Sequence, residues 1–138
     1  MRNLIKSILF CILLLIIAAC ENTNYGEKIY DVAKLELGEN ISGYNKIIII
    51  PGSGCTGCIS NAEKFFLENH ANTEIKFIFT HYYSLKNMML RLGGFNNVLQ
   101  PNVFIDDNDI FYFLEYEEHI YPYVIEIKNN KVISQSQL

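Results

Sequence analysis

The chain has 138 residues, 11 Lys and Arg against 15 Asp and Glu, and a formal net charge of -4; half of it is apolar. That length gives one domain, and the apolar share excludes a disordered chain. An acidic balance without a Lys/Arg run argues against nucleic acid or anionic lipid as the main partner. The four cysteines leave two disulfides, a metal site or a redox pair open.

At the N-terminus Arg2 and Lys6 precede an unbroken apolar run from Ile8 to Ala19. A helix of that length covers about 18 Å, short of a hydrocarbon core of about 30 Å. A basic head, a short apolar stretch and small residues before a boundary are the parts of a secretory signal. Ile17-Ala18-Ala19-Cys20 resembles the lipobox of bacterial lipoproteins. The resemblance implies removal of residues 1–19, a lipid on Cys20 that holds the protein to a membrane, and a place in the cell envelope facing the periplasm. Loss of Arg2, Lys6 and Cys11 takes the formal charge to -6. With Cys20 lipidated, Cys55 and Cys58 remain as one thiol pair, in a compartment that favours disulfides.

Residues 20–28 are polar and aperiodic and read as a tether, so the domain is expected over 29–138. Ile29–Leu37 fits either a strand or a short helix. Lys46–Ile50 is a β-branched run closed by Pro51-Gly52, as in a strand buried on both faces. Ile59, Ala62, Phe65 and Phe66 mark one face of a helix over Ile59–Asn69. Ile75–Thr80 is a second strand. Ser84 is placed to cap a helix carrying Leu85, Met88, Met89 and Leu92, stopped by Gly93-Gly94. Pro101–Asp106 is a third strand, and Asn129-Asn130 links the strands Tyr123–Ile127 and Lys131–Ile133 as a tight hairpin. This order implies a mixed sheet with helices on its faces.

The chemistry falls at the first strand-to-helix junction, Gly54-Cys55-Thr56-Gly57-Cys58. Free N–H groups at a helix N-terminus favour a thiolate, so Cys55 is expected below the free-thiol pKa of about 8.5. Cβ atoms three apart on a regular helix lie about 5–6 Å apart, too far for a disulfide, so Cys55 must sit at the cap.

Here the chain resembles the thioredoxin fold. The cysteine pair, the intervening strands, Tyr121-Pro122-Tyr123 and the terminal hairpin carry that likeness over Lys46–Ser134. It is closest to the membrane-tethered thioredoxins of the envelope. The resemblance implies Cys55 as the attacking thiol, Cys58 as the resolving thiol, Pro122 as a cis-proline against the disulfide, and protein thiols or disulfides as substrates. No dissociable cofactor and no metal are implied. Gly54 stands where the family usually has Trp, and Ile49 where it often buries an acid. The family's C-terminal helix is missing, so an apolar patch is expected near Val124 and Val132, open to a second copy or a partner. Two other readings use the same cysteines: a binding lipoprotein with a structural disulfide, and a Cu(I) carrier.

His70, His81 and His119 match no zinc spacing and read as surface histidines. Asp106–Glu118 mixes six acids with four aromatics. It reads as an amphipathic element with its aromatics in the core, or as a docking surface.

Overall fold

The isoleucine run becomes the centre of the sheet. A computed structural model describes residues 24–138, so the expected signal segment and Cys20 lie outside the described residues. The elements are α1 (Tyr25–Leu37), β1 (Lys46–Pro51), α2 (Thr56–Asn69), β2 (Ile75–Thr80), α3 (Leu85–Arg91), α4 (Phe95–Val98), β3 (Val103–Asp106), β4 (Tyr123–Lys128) and β5 (Lys131–Gln137). Short 3-10 turns lie at Glu39–Gly43 and Glu117–Ile120. The fold is α/β, with a five-stranded mixed sheet in the order β3-β2-β1-β4-β5. Strands β1, β2 and β3 run parallel, while β4 is antiparallel to β1 and β5 to β4.

Alternation along β1 divides the core in two. Ile47 and Ile49 face α1, packed with Ile29, Tyr30, Ala33, Ile78, Ile125 and Ile127. Ile48 and Ile50 face α2, packed with Ala62, Phe66, Phe77, Phe79 and Val124. A strand buried on both sides has no polar face to display, which is why its sequence does not alternate. Each fully buried Ile or Phe contributes roughly 1.5–3 kcal/mol by leaving water.

Helix α1 corrects the expected tether and settles Ile29–Leu37 as helix. Asn24 caps it by accepting from the amide of Glu27 at 2.9 Å. Its buried stripe starts at Tyr25 and Gly26, inside the polar-looking stretch, and continues through Ile29, Tyr30 and Ala33. That spacing is helical, and it becomes visible only when Tyr25 is counted.

The expected apolar patch is reduced: Val124 is buried on the α2 face and Val132 packs against the α1 core, while Ile133 beside it stays exposed. Where the second face runs out of helix, β4 and β5 present polar groups. Ser134 donates to Glu126 at 2.8 Å, and Lys46 pairs with Glu126 at 3.2 Å.

The hairpin forms as expected: Asn129 and Asn130 both take positive φ, 51° and 59°. Two asparagines in that conformation match the twist of the paired strands.

Pro122 also departs from expectation. No cis peptide bond occurs among the described residues, so Tyr121–Pro122 is trans. The trans form is the lower-energy state by about 0.5–1 kcal/mol before proline, and a strand start tolerates the missing N–H. Pro122 is buried there, and its carbonyl accepts from the amide of Leu138 at 2.9 Å.

Candidate active site

Cys55 is the N-cap of α2, with extended backbone (φ -68°, ψ 94°), and its carbonyl accepts the first helical bond from Ile59 at 2.9 Å. Cys58 lies one turn inside the helix. The two are joined in a disulfide with Cα atoms 5.3 Å apart. The cap position therefore solves the spacing problem that a regular turn would pose. Both cysteines are half-buried.

Two glycines let neighbouring backbone close on this loop. The amide of Gly52 donates to Thr80 at 2.8 Å, and a Cβ at Gly52 would lie 2.5 Å from Cα of Tyr82. Gly54 has φ +131°, and a Cβ there would lie 2.3 Å from the carbonyl oxygen of Ile120. A larger side chain would have to displace that backbone, which accounts for Gly at this position. The amide of Cys55 donates to that same Ile120 carbonyl at 3.1 Å. The backbone contact to Cys55 itself thus comes from Ile120, two residues before Pro122.

Three carboxylates organise the loops beside the disulfide. Asp106, buried at the end of β3, accepts from the Thr80 hydroxyl and the Phe111 amide at 2.8 Å each, and from the Ile110 amide at 3.0 Å. Asp109 accepts from both the amide and the Nδ1 of His81 at 3.0 Å, so Nδ1 carries the proton there. His81 takes positive φ (51°) in this grip. Tyr82 donates to Asp107. Burial, reinforced by that bond and by the Asp107 charge, holds the Tyr82 phenol well above its ordinary range.

The His81 ring stacks on Tyr112 at 3.8 Å, and Tyr112 meets His119 edge-on at 4.8 Å. The Nδ1 of His119 bonds the carbonyl of Tyr116. This ring stack corrects the reading of His81 and His119 as plain surface residues: both are half-buried, and they link the two segments that flank the cysteine loop. His70 sits apart at the end of α2, against Phe66 and the carbonyl of Leu67. Among the described residues, no group of three or more His, Cys, Asp or Glu is placed to hold a metal ion.

The sequence singles out Cys55 and Cys58, which the structure joins, but not Ile120, Asp106 or the ring stack. An acid run after a strand is the signal that pointed near Asp106. Its three bonds come from two segments, and no local pattern encodes that. Within Asp106–Glu118, Phe111 and Phe113 are core residues, while Tyr112 and Tyr116 are half-buried.

Apart from His70, these groups lie at the carboxyl ends of β1, β2 and β3, the edge where open α/β sheets place their chemistry. A cleft of about 500 Å³ lies at the opposite edge, lined by Leu37, Ile41, Tyr44, Lys76 and Pro101 among others. The Lys76 ammonium there already donates to the Pro101 carbonyl at 3.0 Å, and burial lowers its pKa. Among the described residues no helix is long and apolar enough to cross a membrane. Comparison with family models, with curated proteins and with solved structures gives no match, so the reading of this site rests on its own geometry.

Proposed function

We propose that this protein is a thioredoxin-like thiol–disulfide oxidoreductase, anchored to the bacterial envelope by a lipid on Cys20. The observation that carries the proposal is the Cys55–Cys58 disulfide at the cap of α2, half-buried on the loop-bearing edge of the sheet. A disulfide that closes so short a loop stabilises a fold by only about 2 kcal/mol in the chain-entropy account. That is a poor return for a purely structural bond, whereas a cap position is where a thiolate is best stabilised.

The exchange runs as two displacements. In the reduced protein the Cys55 thiolate attacks one sulfur of a partner disulfide. A Cys55–partner bond forms, the partner's own S–S bond breaks, and the released thiolate takes up a proton. Cys58 then loses its proton and attacks Cys55, restoring the internal disulfide and releasing the second partner thiol. Two electrons pass from the pair to the partner. The oxidised form runs the same steps in reverse and accepts two electrons from a partner dithiol. The cysteines hold these electrons themselves.

The test is trapping. Cys58→Ala should accumulate mixed disulfides through Cys55, and Cys55→Ala should not. A pair that dithiol reagents cannot reduce, or a Cys58→Ala variant that stays free of adducts in the presence of disulfide substrates, would refute the proposal.

A further inference from the structure

The charges of this molecule are unevenly placed about its sheet. No Lys or Arg occurs between Lys46 and Lys64, nor between Arg91 and Lys128. Those two stretches supply the cysteine loop and the whole segment from β3 to β4. On the disulfide edge stand Asp107, Asp109, Glu115, Glu117 and Glu118. Contacts already described fix four of them there, Asp107 to Tyr82, Asp109 to His81, and Glu117 and Glu118 in the turn that reaches Cys55 through Ile120; Glu115 directly precedes Tyr116, whose ring packs on Tyr25. His81 offsets Asp109 only when protonated. Two lysines reach this side: Lys28, 5.6 Å from the centre of the Phe113 ring, and Lys86 in the first turn of α3, three residues after Tyr83. At the opposite edge Lys46 opens β1, Lys76 is the second residue of β2, and Lys128 and Lys131 flank the hairpin turn. The edge that carries the sulfurs is therefore the anionic one.

Beside the acids, that edge shows Tyr83 at 90% exposure and Leu114 at 73%. Exposed apolar groups next to a reactive disulfide suit a polypeptide, and the surrounding carboxylates select its charge.

We infer that the partner of the Cys55–Cys58 pair is a polypeptide segment whose cysteines are flanked by Lys or Arg, drawn to the disulfide edge by its carboxylates. This deepens the exchange reading and rests on it. A field of one sign around a reactive group raises association rates by about 10- to 1000-fold at low ionic strength and fades with salt. It also turns away acidic partners, which gives selectivity without a deep pocket.

The experiment uses the full chain in detergent, reduced and freed of reductant, and two peptides with the same internal disulfide. One peptide carries flanking lysines and the other flanking glutamates. Oxidation of Cys55 and Cys58 is followed by alkylation and mass. The lysine peptide should react about 10-fold faster at low salt, and the difference should nearly vanish at 1 M salt, where the Debye length is about 3 Å. Glu115→Gln with Glu117→Gln should narrow the low-salt gap mainly by slowing the lysine peptide. Equal rates for the two peptides at low salt, or a preference for glutamate, would overturn this inference and leave the exchange activity standing. No oxidation by either peptide would overturn the exchange reading, and this inference with it.

Discussion

The amide of Cys55 donates to the carbonyl of Ile120 at 3.1 Å, and the same carbonyl lies against Gly54. A turn far along the chain thereby fixes the backbone that carries the first cysteine. The sulfur is held by main chain, and main-chain geometry is what substitutions at this junction will disturb.

Gly54→Ala should destabilise the oxidised protein by about 2 kcal/mol, through the strained φ and the clash with Ile120. Urea unfolding of the oxidised forms measures it. A midpoint equal to that of the parent protein would show that the loop gives way at no cost.

Reduction of the disulfide should leave the fold intact and lower stability by about 2 kcal/mol at most, since the closed loop is so short. Circular dichroism and urea unfolding with and without dithiothreitol check this. Collapse of the fold on reduction would favour a structural bond over an exchanging one.

Asp106→Ala should cost about 3 kcal/mol. The change leaves the Thr80 hydroxyl and the Ile110 and Phe111 amides without their acceptor in a buried place. Hydrogen exchange should show both amides losing protection. If their protection is unchanged, another group holds that loop.

Glu126 supplies a pH dependence. Hydrogen bonds from Ser134 and Lys46, with the Lys46 charge, hold its carboxyl below the usual range. The folded protein then binds fewer protons there than the unfolded chain, whose Glu titrates near about 4.3. Its contribution is present above that value and is lost as pH falls through the lower folded value. The stability gap between the parent and Glu126→Gln should thus shrink from pH 7 to pH 3. A constant gap would place the stabilising bond elsewhere.

Much of the fold is legible because its signals are local. The Ile run of β1, the Ser84 cap of α3 and the Asn129-Asn130 turn each carry their own instruction within a few residues. Cys55 at the cap follows from sulfur geometry alone. Helix α1 was half hidden because its stripe begins among polar letters, and Tyr25 becomes a core residue only by packing on Tyr116 and Tyr123. The apolar patch expected near Val124 assumed an uncovered sheet face; α1 covers one face, and of the neighbouring β5 residues Ile133 is exposed while Ser134 bonds Glu126. The roles of Ile120 and Asp106 depend on segments that meet only in the folded state, so no spacing in the sequence announces them.

The placement of β1 governs the order in which this protein can be finished. It is the middle strand, yet one of its neighbours, β4, follows it in the chain only after β2 and β3. Until β4 arrives, the row from Lys46 to Ile49 has an open side, and the amide of Cys55 lacks the carbonyl that anchors it. Such long-range pairing is slow to form and leaves an incomplete chain prone to association. A nascent chain that stops short of Ile120 would therefore carry its two sulfurs on an unset loop, open to bonding with whatever thiol it meets first.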